Sequence, residues 1–162
     1  MFEKIRFVVG AWYEDLITKL ILGRLSRKTI ILKDCLYNYT LHETNSSSIL
    51  WSLSSVKALD QLYLPMYLYK MSNDVLKLEH DKPLDCLMIH ELCMQLPNRV
   101  SNLPSNIIKS VFVLARAFVI ENNISVNVKD NCWDKMSNAI WLGKYRTWKY
   151  IAYYEKIKSK IN

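Results

Sequence analysis

Apolar positions recur at helical spacing along most of this chain. Phe2, Ile5, Val9, Trp12, Leu16 and Leu20 step by three and four residues, with charged residues between them. That period predicts a first helix, and Gly23 just past it is its expected C-cap. "RKTIILKDCLYNYTL" (27–41) mixes β-branched residues with partial alternation. Between two helical stretches it reads as a short helix, with a strand as the alternative. "HETNSSSI" (42–49) is a polar loop in which Ser48 is placed to cap the stretch that follows. Residues 50–62 step helically again, and Pro65 is expected to end that helix or to open the next in its first turn. "HDKP" (80–83) marks a turn from which Pro83 opens a helix to Leu96, with Pro97 as its stop. After the loop "NRVSNLP" (98–104), Pro104 stands near the next start.

The segment 105–121 differs in kind. Between 107 and 120 only Lys109, Ser110 and Arg116 are polar. A helix apolar nearly all round is expected at the centre of a bundle, wrapped by amphipathic neighbours, with Lys109 and Arg116 seven residues apart as its one polar edge. "ENNISVNVKDN" (121–131) is a loop whose Asn131 can cap a helix over 132–142, ended by Gly143. A last helix, 144–160, is basic and aromatic. The expected fold is therefore all-α: a single domain over 1–162, about six to seven helices around the apolar segment 105–121.

Composition supports this reading. At 162 residues the chain has the length of one domain and buries about 70% of its unfolded surface. It is 51% apolar and 23% charged, which excludes global disorder, and its three Gly and four Pro are few for a sandwich or barrel. Acids at Glu3, Glu14 and Asp15 argue against a signal or transit peptide. The longest apolar run, "VFVLARAFVI", contains Arg116 and is too short to span a bilayer. The expected location is intracellular, with Cys35, Cys86, Cys93 and Cys132 as free thiols in the core.

The nearly all-apolar segment 107–120, inside an all-helical domain of this size, resembles the Bcl-2-like architecture, including its divergent viral members. "NCWDKM" (131–136) shares Trp133 with the Asn-Trp-Gly-Arg groove motif of that family. Asp134 stands where the Gly belongs, so no groove residue carries over. "LYLPMYLYKM" (62–71) is similar to the Leu-Pro-Leu-Trp-Leu-Ala stretch of some GINS replication-complex subunits. Both matches extend over a few residues only and identify no family.

Candidate chemistry is sparse. On a helix Cys86, His90 and Cys93 fall at i, i+4 and i+7, a spacing that could converge on zinc with a fourth ligand from Cys35, Cys132 or His80. No Cys-x-x-Cys knuckle accompanies them, and the surrounding Leu84, Leu87, Ile89, Leu92 and Leu96 assign these positions to core packing. Cys93 late in its helix is also badly placed for a thiolate nucleophile. There is no Gly-rich phosphate loop, His-Glu-x-x-His or Gly-x-Ser-x-Gly. No metal, small-molecule cofactor or catalytic residue is therefore assigned.

Net charge changes the picture at one end. The chain carries +7, and residues 144–162 hold six basic groups against Glu155, leaving +2 for the rest. Along the last helix Lys149, Tyr153, Lys156 and Lys160 form one stripe with Arg146 beside it. Tyr145, Trp148, Ile151 and Ala152 make one apolar face, and Tyr150, Tyr154, Ile157 and Ile161 another. The first is expected to dock on the domain through Trp148 and Ile151. The second leaves Tyr150, Tyr154 and Ile157 for a protein partner. The favoured function is a non-enzymatic protein-interaction module, a subunit or adaptor of a larger assembly. The alternative is a nucleic-acid-binding subunit using the basic stripe, and third comes an enzyme with its site in the bundle.

Overall fold

The computed structural model describes residues 8–30, 32–34, 36–38, 40, 56–77, 81–126 and 131–150. These residues form six helices and no strand. Helix α1 is Glu14–Leu25. In α2 a 3-10 turn (Val56–Leu59), an α-helix (Asp60–Lys70) and a π-turn (Met71–Val75) follow without a break. In α3 an α-helix (Lys82–His90), a π-turn (Glu91–Gln95) and a final α-turn (Leu96–Arg99) likewise run on. Helix α4 is Ser105–Glu121, α5 is Asn131–Trp141, and α6 covers the described part of the basic segment, 145–150.

Local signals set several boundaries as read. The Asp81 carboxylate accepts the Leu84 N–H at 3.0 Å while Pro83 occupies the first turn of α3. Gly143, at φ 68°, ends α5 in a Schellman motif: its own N–H reaches the Ile140 carbonyl at 3.2 Å, and the Lys144 N–H reaches Ala139 at 2.8 Å. Asn123, at φ 51°, ends α4 in the same way, with the Ile124 N–H on the Val119 carbonyl at 2.9 Å. Both apolar partners of that cap, Val119 and Ile124, are fully buried.

Other boundaries depart from the period. The single helix expected over Phe2–Leu20 is interrupted: Val8–Tyr13 is a turn, with Gly10 and Tyr13 at positive φ and Val9 98% exposed, and the first described helix begins at Glu14. Gly23 lies inside α1, which runs on to Leu25. The described residues of 27–41 are neither helix nor strand, and Ile30, Leu32, Leu36 and Tyr37 are exposed there. The loop 42–49 and its cap Ser48 lie outside the described residues.

Pro65, expected to end one helix or open the next, and Pro97, expected as a stop, both lie inside continuous helices. Pro65 sits within α2, buried. Pro97 sits in α3 directly after the π-turn, which shifts the hydrogen-bond register by one residue. The Leu96 N–H reaches back five residues to the Glu91 carbonyl. The next donor in that register would serve Leu92, and it is the missing N–H of Pro97. The indole Nε1–H of Trp148, 56 residues on, donates to the Leu92 carbonyl instead, at 2.8 Å. Trp148 is wholly buried, its ring 5.2 Å from Phe112 and 6.3 Å from Tyr145. The docking of the last helix through Trp148 is thus borne out, and its hydrogen bond closes the gap left by a proline elsewhere.

The deepest helix is α3 rather than α4. Leu84, Met88, Ile89, Leu92, Cys93 and Leu96 are all at most 1% exposed, and α3 packs against both α2 and α5. Helix α4 lies across α2 and α5, with Ile108, Val111, Phe112, Ala115, Phe118 and Val119 buried. Its other side is open: Val113 and Leu114 are 56% and 55% exposed, and Ile107 37%. The expectation that 105–121 is wrapped on every side is corrected accordingly. Arg116, on the expected polar edge, donates to the Trp141 carbonyl at 3.2 Å and ties α4 to the end of α5.

Candidate functional site

Of the basic and aromatic surface, Arg146, Lys149 and Tyr150 lie among the described residues. Tyr153, Tyr154, Lys156, Ile157 and Lys160 lie outside them, as does Ile151. The turn Leu142–Lys144 launches α6 so that Trp148 enters the core while Arg146 and Tyr150 stay exposed. Tyr150 is 47% exposed, and the Lys149 ammonium lies 5.4 Å from the centre of its ring. That spacing is within cation–π range.

Cys86, His90 and Cys93 do not form a common ligand face. The first two are on the α-helical part of α3, but Cys93 falls within the π-turn, where the step per residue is smaller and the i, i+7 alignment is lost. Cys93 is fully buried, and desolvation pushes its thiol far above the ordinary 9.0. Cys86 is half-buried, and both are free thiols. The His90 ring is engaged elsewhere: Nδ1 is 2.9 Å from Glu91 Oε1 and Nε2 is 3.5 Å from Gln95 Nε2. Among the described residues no three His, Cys, Asp or Glu are grouped to hold a metal ion. None of the described helices is long and apolar enough to cross a membrane.

A second candidate is the outer side of α4. At 100° per residue Ile107, Ser110, Leu114 and Ala117 form a stripe with Val113 beside it. Lys109 is the exposed charge along this side and Glu121 marks its end. Here the most apolar helix of the chain turns large side chains outward.

The third is a cleft of about 220 Å³ where the start of α1 meets α2 and the π-turn of α3. Tyr13 comes from the turn that precedes α1, Asp15 from α1, Gln61 from α2, and Glu91, Gln95 and Arg99 from α3. Glu91 is only 6% exposed, a buried carboxylate that needs donors. Gln61 Nε2 supplies one at 2.7 Å, and His90 Nδ1–H the other. Tyr13 is held in the left-handed region, φ 65° and ψ 30°, a conformation that costs a non-glycine residue about 1–2 kcal/mol. Its ring lies 4.9 Å beneath the Arg99 guanidinium. Its hydroxyl is buried and has no hydrogen-bond partner among the described residues. Burial raises the Tyr13 pKa above 10.0; Arg99 pulls it back and Asp60 adds to the rise. Asp60 in turn accepts the Trp12 N–H at 2.8 Å, which fixes the turn that presents Tyr13.

The sequence reading did not find this cleft. One signal was available: Leu84, Met88, Glu91 and Gln95 share a helical stripe, so two polar residues continue a line of core positions. Compared with known proteins, the chain matches no family model, no curated protein and no solved structure.

Proposed function

We propose that this protein is a non-enzymatic interaction module, a helical subunit or adaptor that acts by holding another protein. The observation that carries the proposal is the outer side of α4, where Val113 and Leu114 are more than half exposed on the most apolar helix of the chain. Covering the exposed half of each side chain is worth about 1 kcal/mol at about 25 cal/mol per Å². Contiguous apolar surface rimmed by polar residues is the usual mark of a contact site. The exposed Tyr150 of α6 supplies an aromatic of the kind that interfaces favour.

The test is native mass spectrometry of material retained by the full chain, beside the double variant Val113→Asp/Leu114→Asp. A partner protein retained by the wild type and lost with the double variant, at unchanged helicity, is the expected result. Equal retention by both refutes α4 as the contact. A second reading has its own observation: Arg146 is exposed and the Lys149 ammonium lies over Tyr150, an arrangement suited to phosphates and a stacked base. Retention of nucleic acid, with affinity that falls steeply with salt and weakens in Lys149→Gln, selects that reading.

A further inference from the structure

Another cleft, of about 410 Å³, lies between α5 and the segment 124–126 that follows the cap of α4. Asp134, Ser137, Asn138 and Trp141 line it from α5, and Ser125 and Val126 line it from the segment. The four residues of α5 stand at i, i+3, i+4 and i+7, so they share one face of the helix. Hydrogen bonds hold the two walls together. The Trp141 indole N–H donates to the Ile124 carbonyl at 2.9 Å, and the Ile124 N–H to the Val119 carbonyl at 2.9 Å. The polar groups between the walls are left over. Among the described residues, no side-chain hydrogen bond engages Ser125, Asp134, Ser137 or Asn138. Ser137 is only 7% exposed, and a hydroxyl buried to that extent needs a partner. Trp141 has spent its one polar atom on Ile124, so its ring offers the cleft apolar carbon alone.

This set of groups selects among ligands. The lining holds no Lys, Arg or His, so an anion meets Asp134 and no counter-charge. A cation is answered by a single carboxylate, in a chain of net charge +7. An apolar molecule leaves the carboxylate, the amide and both hydroxyls desolvated without partners. Hydroxyl groups fit all of them, because each both donates and accepts: it can donate to Asp134, and give to or take from Asn138 and the serines. A sugar ring has the same division as the cleft, with hydroxyls at its rim and C–H bonds on its face. The volume equals about fourteen waters at about 30 Å³ each, room for one ring of about a dozen non-hydrogen atoms.

We propose that this cleft binds a neutral polyhydroxylated ring, a sugar or cyclic polyol, through Asp134, Asn138, Ser137 and Ser125, with its C–H face against Trp141. The ring comes either from a free small molecule or from a sugar carried by a partner protein. The proposal is independent of the α4 contact, which uses other residues.

The experiment is an NMR titration of the full chain, reading the Asn138 side-chain amide, the Trp141 indole N–H and the backbone amides of Ser125 and Ser137. The probes are glucose, mannose, galactose, N-acetylglucosamine and myo-inositol, with N-acetylglucosaminyl-asparagine as the protein-borne form. Propylammonium chloride, sodium acetate and cyclohexanol are the cationic, anionic and apolar controls. Saturable shifts at those groups are expected with at least one of the sugars or inositol. The expected dissociation constant is on the order of millimolar, the scale for a ligand of about a dozen non-hydrogen atoms. Asp134→Ala should weaken that binding about tenfold, the scale of one charge-assisted hydrogen bond. If Asp134→Ala loses helical signal, Asn138→Ala, at an exposed position, carries the test with an expected loss of about threefold or more. Tighter binding of the glycosylated asparagine than of free N-acetylglucosamine assigns the source to a partner's sugar, and equal or weaker binding assigns it to a free ring. Absence of saturation with every polyhydroxylated probe up to about 50 mM, well beyond the expected constant, overturns the proposal. So does a control that saturates at an equal or lower midpoint, or an affinity unchanged in the folded variants.

Discussion

Replacing Trp148 by Phe removes the indole N–H together with two buried ring carbons. The ring can still pack against Phe112, but the Leu92 carbonyl loses the donor that met it at 2.8 Å. Nothing along α3 can replace that donor, because the Leu96 N–H is committed to Glu91 and Pro97 has none. A stranded buried carbonyl costs about 1–3 kcal/mol, so Trp148→Phe should lower stability by at least that amount, the lost ring carbons adding to it. Trp148→Ala also empties a fully buried aromatic site, for which about 3–5 kcal/mol is typical. Against a total stability of about 5–15 kcal/mol, that variant is expected to be marginal at best. Equilibrium unfolding in urea, followed by far-ultraviolet circular dichroism, gives the differences. A double-mutant cycle isolates the cause. Pro97→Ala restores an N–H in the register of Leu92, so in that background the Trp148→Phe penalty should shrink by about 1 kcal/mol. A Trp148→Phe penalty below about 0.5 kcal/mol, within the range of ordinary surface changes, would refute the reasoning. So would a penalty that persists undiminished beside Pro97→Ala.

Two further outcomes are expected. Gly143→Ala forces a side chain into φ 68° with its Cβ 3.4 Å from Arg116 Nε, and should cost about 1 kcal/mol or more in urea unfolding; a neutral result would mean that the Schellman cap contributes nothing. Stability should fall as pH rises through about 9 to 11: burial raises Cys93 above 9.0 and Tyr13 above 10.0, so the unfolded chain releases these protons first and the folded state loses ground with each increment of pH. The slope should be shallower in Cys93→Ala than in the wild type, and an identical slope would count against the buried thiol.

How much of this was legible beforehand follows from the range of each signal. Cap residues act within one turn, so Pro83, Pro104 and Gly143 announced the limits of α3, α4 and α5 in the letters themselves. The apolar period carried the helical class for the same reason, since it tests each residue only against neighbours three and four places away. The ends that failed are those whose outcome depends on something distant. Pro97 reads as a stop until the π-turn shifts its missing donor onto Leu92, and the group that answers comes from Trp148 in another helix. Ile30, Leu32, Leu36 and Tyr37 keep an apolar pattern in the letters, yet they stay exposed among the described residues. The cleft was hidden in the same way. Tyr13, Gln61 and Arg99 are unremarkable in sequence, and they meet only because α1, α2 and α3 converge there.

By itself, then, the sequence determined what acts locally: an all-helical chain, its capped boundaries, Trp148 as the apolar anchor of the last helix, and a basic end. Tertiary packing decided which helix is deepest, which side of α4 stays open, and which residues meet in the cleft. The physical reason is that burial and hydrogen-bond satisfaction are properties of pairs far apart in the chain. No periodicity over three or four residues can encode whether a carbonyl in α3 will find its donor in α6.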